Sequence, residues 1–312
     1  MSVTVFAPAT IANLGVGFDL LGAAISPVDG SLLGDRVTVE RADHGLSLVC
    51  LGDWARVLPG RPEDNIVYQC AERFLELLPE SNRCGLRLTL DKGLPVGSGL
   101  GSSASSVVAA LSALNEFFDR SLGPEKMLPL MGELEGRVSG SVHYDNVAPA
   151  YLGGMQLLVQ SGNHFCEPVP FFEHWFWVVA YPGTSLSTAK MRELLPAKYD
   201  RADLIKYGRY LSGFIHALYK KDQALALAMI NDVVAEPYRS SHIPGYVQAK
   251  AALAKLGIIA SGISGSGPAI FAIAETLHNA RQAEEWLNAS YLAQSGGFVR
   301  VCRIDRNGAR RV

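Results

Sequence analysis

Three stretches of this 312-residue sequence concentrate residues that can do chemistry. The densest cluster of glycine and small hydroxyl residues is "GLPVGSGLGSSASS", Gly93 to Ser106. Gly97, Gly99 and Gly101 let the backbone approach a ligand closely and point its N–H groups inward. Val107, Leu111, Leu114 and Phe118 then recur at helical spacing, so a helix is predicted to begin near Ser102 or Ser103. A helix start adds partial positive charge, and the two serine hydroxyls can donate to phosphate oxygens or ligate magnesium. Two readings of the run stand at this point: a phosphate cradle, or a flexible β-to-α turn. No GK[ST] follows, which excludes the lysine-bearing P-loop, so any neutralising charge must come from elsewhere. The second stretch, "APATIANLGVGFDLLG" (Ala7 to Gly22), sets Asn13 and Asp19 in a glycine-punctuated loop and by itself reads as an Asx-rich turn. The third, "GISGSGPAIFAI" (Gly262 to Ile273), by itself reads as a tight hairpin.

The elements that must position these residues follow from periodicity. "SVTVFAPAT" alternates and then breaks at Pro8, which predicts a strand ending in a loop. "RVTVER", "LSLVCL" and "LRLTL" predict further strands, the last with Leu86, Leu88 and Leu90 on one face. "NIVYQCAERFLELL" predicts a helix with Asp64 placed to cap it. Another helix is predicted from Glu125 to about Arg137, with Pro129 in its first turn. Past residue 165 the pattern is a strand at "FWVVAYP", a short helix at "STAKMRELLP", a longer helix over Leu204–Leu218, and helices near Gln223–Val233 and Tyr246–Leu256. Two short strands, a helix at His278–Leu292 and a strand at Phe298–Ile304 follow, in the order of a split β-α-β unit.

Composition narrows the function classes. The chain is 48% hydrophobic and 19% charged, with a net charge of −2, so no nucleic-acid partner is expected. Arg303, Arg306, Arg310 and Arg311 are expected to form a solvated basic tail. Five scattered cysteines without a CxxC point away from a zinc or dithiol site and fit a reducing compartment. The start of the chain lacks signal-peptide character and no apolar run has transmembrane length, so a cytoplasmic protein without membrane contact is expected. No histidine pair or mixed cluster has metal-ligand spacing, although a nucleotide-borne magnesium needs only one or two protein oxygens.

Taken together, in this order and at these separations, the three stretches resemble the three motifs of the GHMP small-molecule kinases, over nearly the whole chain. That resemblance implies a two-domain α+β fold: an N-terminal nucleotide-binding domain over residues 1–165 and a C-terminal ferredoxin-like split β-α-β domain over 166–312. It implies ATP and Mg²⁺ as cofactors, and a homodimer. ATP contacts map to Asn65 and to the loop residues Pro95, Val96, Gly97, Ser98, Gly99, Leu100, Gly101, Ser102, Ser103 and Ala104. Within the family the chain is most similar to the homoserine-phosphorylating branch, which implies homoserine and ATP as its partners in a step of threonine synthesis. The first motif then assigns Asn13 and Asp19 to the amino acid, and "HYDNVAPAYLGG" assigns Asn146 to its hydroxyl. "STAKMRELLP" supplies Thr188 and Arg192, "EPYR" supplies Arg239, and Glu135 matches the magnesium carboxylate.

These assignments agree with the chemistry of a zwitterion. Its carboxylate suits the planar fork of arginine, and its ammonium suits Asp19. Glu135 and a loop serine, Ser103 rather than Ser102, are expected to hold Mg²⁺. Asn146 is an amide and cannot accept a proton. Asp145 receives no role, because neighbours in an extended segment point to opposite faces. Catalysis by positioning and charge neutralisation is therefore expected, without an evident general base. A relative acting on a sugar or isoprenoid alcohol and a non-catalytic metabolite sensor are the alternatives. The second would be expected to lack Glu135 or the loop serines.

Overall fold

The computed structural model describes residues 2–162 and 164–312. In chain order the elements are β1 (Ser2–Ala12), β2 (Leu21–Pro27), β3 (Gly34–Ala42), β4 (Leu46–Leu51), α1 (Ile66–Leu77), β5 (Gly85–Asp91), α2 (Ser102–Phe117), α3 (Pro124–Ser139), α4 (Val147–Leu152), β6 (Met155–Ser161), β7 (His164–Val169), β8 (Phe176–Tyr181), α5 (Thr188–Glu193), α6 (Arg201–Lys220), α7 (Gln223–Met229), α8 (Glu236–Arg239), α9 (Tyr246–Lys255), β9 (Ala260–Ile263), β10 (Ile270–Ala274), α10 (Leu277–Ser290), β11 (Phe298–Ile304) and β12 (Arg310–Arg311). The strands join in the order β4-β5-β3-β1-β2-β11-β8-β10-β9, with β12 on β1 and the β6–β7 hairpin on β2. The fold is α+β. β8 to β11 lie in the spatial order fourth, first, third, second, which is the split β-α-β arrangement expected for the C-terminal part. The expected division after residue 165 falls within β7, which pairs with β6.

β1 does not stop at Pro8. Residues 2–8 pair with β3 and residues 9–12 pair with β2, so one strand serves both halves of the sheet. Pro8 sits where β1 changes partner, a place where a missing N–H removes little from the ladder. α2 packs against β1 and β3 and is flanked by α1 and α3. Its run of Ala, Val and Leu is apolar on all sides, as burial on all sides requires. α1 is capped by Asn65, whose Oδ1 accepts from Val67 N at 2.9 Å, and not by Asp64, which pairs with Arg61 at 2.9 Å. α3 begins at Pro124, so Pro129 lies in its second turn. α7 ends at Met229 because Asp232 turns the chain, accepting from the N–H groups of Val234, Ala235 and Glu236 at 2.8, 2.7 and 3.1 Å.

The basic end is docked rather than solvated. β12 pairs with β1, and Arg310 reaches Asp305 at 3.0 Å while lying 4.8 Å over the Phe6 ring. Arg303 lies 4.4 Å over the Phe176 ring, and Arg306 pairs with Glu173.

β3, β5 and α2 are tied by a buried ion pair. Asp35 opens β3 on the same face as Val37 and Val39, and Lys92 follows β5 on the face of Leu86, Leu88 and Leu90. Both charged residues are at most 1% exposed. Lys92 Nζ donates to Asp35 Oδ2 at 2.5 Å, and to Ser102 O and Ser106 Oγ at 2.9 Å each. Asp35 also accepts from the N–H groups of Gly93 and Leu94 at 3.0 and 3.1 Å and from Ser106 Oγ at 2.6 Å. Burial lowers the Lys92 pKa and Asp35 opposes that shift. Removing one partner strands the other charge in the interior. Lys92→Met should therefore cost about 3–5 kcal/mol in a urea unfolding experiment. A loss under about 1 kcal/mol would show that Asp35 finds its balance elsewhere.

Candidate active site

The predicted site residues converge. A cleft of about 710 Å³ is lined by Asn13, Asp19, Asn65, Val96, Gly97, Ser98, Gly99, Gly101, Ser102, Ser103, Glu135, Asn146, Thr188, Arg192 and Arg239. Pro95, Leu100 and Ala104 are buried beside it, their side chains off the cleft wall, so any ligand contact from them is through the backbone.

The glycine loop turns its carbonyls into the protein. The carbonyl of Gly97 accepts from Leu186 N (3.0 Å), that of Ser98 from Ala269 N (2.8 Å), that of Gly99 from Ser264 Oγ (2.7 Å), and that of Leu100 from Thr10 N (3.2 Å). Gly101 O receives the first bond of α2, from Ser105 N at 2.8 Å. Among the described residues, the N–H groups of Gly97, Ser98, Gly99 and Gly101 meet no protein acceptor. Left-handed φ values of 67°, 84° and 67° at Gly97, Gly99 and Gly101 make this arrangement accessible. A Cβ on Gly101 would meet Thr10 Oγ1 at 2.0 Å, and one on Gly99 would meet Ser264 O at 2.4 Å. These glycines are thus demanded by contact with the protein body as well as by φ. The result is a concave set of donors at a helix N-terminus, suited to an anion.

The two loop serines diverge. Ser102 Oγ donates away from the cleft to Leu94 O at 3.2 Å, whereas Ser103 Oγ donates to Glu135 Oε1 at 3.0 Å. A hydroxyl and a carboxylate together offer hard oxygen donors of the kind that would suit Mg²⁺. Lys92, absent from the expected site, borders the cleft beneath the loop and brings positive charge to the start of α2. Its signal was in the sequence: a lysine at the next inward position after Leu86, Leu88 and Leu90.

Asn65 lines the other end of the cleft with Val57, Leu58 and Ile66. Its amide is committed, since Oδ1 caps α1 and Nδ2 faces Cys50 Sγ at 3.5 Å. Asn13 is likewise a brace: Oδ1 accepts from Asp19 N at 2.9 Å and Nδ2 donates to Gly265 O at 3.1 Å. It holds the loop that presents Phe18 and Asp19. Asp19 and Arg192 form a bidentate pair at 2.9 and 2.8 Å. Arg239, 3% exposed, donates to the carbonyls of Met191 and Gly265, both at 3.1 Å. Among the described residues no carboxylate lies within ion-pair distance of it. Burial and then Arg192 lower its pKa. The Phe18 ring lies 5.6 Å from the Arg192 guanidinium and 5.4 Å from that of Arg239. Thr188 opens α5, with Oγ1 3.2 Å from Ser266 Oγ. Asn146 accepts from Thr10 Oγ1 at 2.7 Å, which leaves its Nδ2 toward Asp145 Oδ1 at 3.4 Å.

Asp145 and His143 also line the cleft. The alternation argument against Asp145 fails because residues 145–146 form a turn entering α4, not an extended segment. His143 Nδ1 lies 3.8 Å from Asp19 Oδ2, yet burial lowers its pKa against that attraction. Asp145 is 6% exposed, and burial, then the charges of Asp19 and Glu135, raise its pKa from 3.8 to about 7. The folded state therefore holds the Asp145 proton more tightly than the unfolded chain does, and ionisation opposes folding. The penalty is full above about pH 7 and absent below about pH 4, where both states are protonated. Asp145→Asn should accordingly stabilise the protein at pH 8, on the order of 2–4 kcal/mol, with the gain disappearing towards pH 4. Thermal melting across that range checks this, and a pH-independent difference would contradict it.

Comparison with known proteins places this geometry. Residues 65–154 match the family model for the GHMP kinases N terminal domain, and residues 214–293 match that for GHMP kinases C terminal. The homoserine kinase of Cytophaga hutchinsonii is 31% identical, covers 100% of this chain and 97% of its own, and superposes with a TM-score of 0.91. A Listeria monocytogenes protein provisionally described as a homoserine kinase shares 23% identity over 99% of both chains, with a TM-score of 0.73. L. major mevalonate kinase, solved with R-mevalonate, shares 19% identity over 97% of this chain and 96% of its own, with a TM-score of 0.69. The last two likenesses speak to the fold alone. By its two matched domains and its full-length resemblance, this chain belongs to the GHMP kinase family and is a kinase.

Proposed function

We propose that this kinase transfers the γ-phosphoryl group of ATP to the hydroxyl of L-homoserine, giving O-phospho-L-homoserine, as a step in threonine synthesis. The observation that carries the reading is the charge set at one end of the cleft. Arg239 is buried with no carboxylate within ion-pair distance among the described residues, and it shares the Phe18 ring with Arg192 of the Asp19–Arg192 pair. A zwitterionic amino acid matches such a set: its carboxylate suits the guanidiniums and its ammonium suits Asp19. Galactose has no charge to offer, and mevalonate has no ammonium. The full-length similarity to a homoserine kinase supports the same choice.

In this reading the outward-facing N–H groups of the glycine loop and the start of α2 bind the ATP phosphates, while Val57, Leu58, Ile66 and Val96 flank the base. Ser103 and Glu135 would hold Mg²⁺, which when bound neutralises charge between phosphate groups. Arg192, Arg239 and Asp19 orient homoserine so that its hydroxyl lies by Asn146 and faces the γ-phosphorus. Phosphoryl transfer through a loose transition state asks mainly for such positioning and charge neutralisation.

A coupled ADP-release assay with homoserine, galactose, mevalonate and no acceptor tests the proposal. Turnover confined to homoserine is expected, and equal or faster turnover with another alcohol would overturn it. Arg239→Leu should weaken homoserine binding roughly 10- to 100-fold, the scale of lost charge-assisted hydrogen bonds, and change ATP binding much less. Equal losses for both ligands in calorimetry would make Arg239 a structural residue instead.

A further inference from the structure

We infer that Trp54, which lies outside the cleft, is a positioning residue for the nucleotide: its indole pins the segment between β4 and α1 to the C-terminal half of the chain, and so holds the wall against which the base would lie. The inference rests on the reading of the Val57–Ile66 end of the cleft as the base end, and adds a residue to which that reading gave no role.

The segment from Gly52 to Asp64 has little to hold it. None of its residues is buried, and Trp54, Ala55 and Leu58 alone are half-buried. Its two short turns, Ala55–Val57 and Pro62–Asp64, bury no side chain. Its backbone meets the body of the protein where Trp54 N donates to Lys92 O at 3.4 Å and where Glu63 O accepts from Gln69 Nε2 at 3.0 Å. Yet Val57, Leu58, Pro59 and Asp64 all line the cleft. A stretch with so few buried contacts belongs to the low end of local stability, and its shape is set by the side chains that do pack.

Two side chains pack, and they pull on different halves of the protein. Leu58 joins the core that contains α1 and α2, whereas Trp54 joins the core that contains Trp177, Tyr181 and Phe271. The Trp54 ring meets the Tyr181 ring edge to face, with centroids 6.1 Å apart and planes at 81°. It also lies on Gly296, where a Cβ would come within 3.0 Å of Trp54 Cζ-side carbon Cη2. Trp54, Tyr181 and Gly296 are not among the residues that line the cleft.

The receiving side is firm. Tyr181 is 2% exposed, ends β8 opposite Phe298 of β11, and has its ring 5.7 Å from the Phe298 ring. The next carbonyl, Pro182 O, accepts from Ala293 N and Gln294 N at 2.9 and 3.1 Å, which fixes the turn that carries Gly296. Loss of the indole would therefore free the segment and leave β8, and with it Thr188 and Arg192 beyond, in place.

The test measures ATP and the acceptor separately in Trp54→Ala, with the alcohol that wild type turns over in the panel as the acceptor. The Kd and KM for ATP should rise about 10-fold or more, because the nucleotide must then order its own wall, while kcat at saturating ATP and the acceptor KM stay within about threefold of wild type. Trp54→Phe keeps a ring to set against Tyr181 and should bring the ATP values back to within about threefold of wild type. ATP affinity unchanged in Trp54→Ala, equal losses for ATP and acceptor, or a Phe variant no better than the Ala variant would each overturn the inference. If Trp54→Ala does not fold, Trp54→Leu is held to the same criteria. Wild type that bound no ATP would sink the nucleotide reading itself, whereas wild type and Trp54→Ala that bind ATP equally well would sink this inference alone.

Discussion

The site depends on one buried carboxylate. Asp35 accepts from Lys92, from two successive N–H groups at the entry to the glycine loop and from Ser106 at the start of the second turn of α2. Those bonds join the end of β5, the loop and the helix to β3 at a single point. An aspartate at that depth is tolerable because its acceptor capacity is met and its charge is balanced. Without that anchor the loop would be a glycine-rich segment with several φ values free to change. With it, both ends of the loop, at Gly93–Leu94 and at Ser106, are tied to β3.

The loop solves an electrostatic problem in an unusual order. Phosphate-binding loops of the lysine-bearing kind put an ammonium on the ligand side of the backbone. Here the ammonium lies beneath the backbone, where Lys92 meets Ser102 O and Ser106 Oγ. On the cleft wall, the N–H groups of Gly97, Ser98, Gly99 and Gly101 meet no acceptor among the described residues, while the loop carbonyls are spent on Leu186, Ala269, Ser264 and Thr10. Partners from both halves of the chain do this work, which explains why the glycine loop could not be judged from its own composition. Its orientation is a tertiary property.

Much of the fold was legible because periodicity reports which face is buried. β11 and the start of α2 fall where alternation and helical spacing put them, and the C-terminal strand order follows from the succession of elements. The misreadings share a physical cause: local rules were applied where a distant partner decides. Pro8 ended the predicted strand, but β1 continues because a second strand takes over its pairing. The arginine-rich end looked solvated, yet Asp305 and the Phe6 ring hold it. Asp145 was set aside by a rule for extended chain, and a turn reverses that rule. Lys92 was the readable omission, since an inward lysine on an apolar strand face must have an anion waiting. The convergence of Asn13, Glu135 and Arg239, far apart along the chain, could be anticipated only by resemblance to the family.

The Asp19–Arg192 pair has a consequence for selectivity. The cleft wall itself contains a carboxylate bound to a guanidinium, the same two charges that an amino acid would bring. An incoming zwitterion can separate the two and satisfy each with the opposite end of itself, so the number of ion pairs does not fall. A simple carboxylic acid would compete for Arg192 and leave Asp19 stranded, and an amine would do the reverse. A neutral sugar would have no reason to part them. Discrimination would then reside less in the contacts a ligand makes than in the bond it must break to enter. On the proposed reading the protein's own side chains would act as the reference competitor, and a molecule able to replace both of them at once would enter without loss.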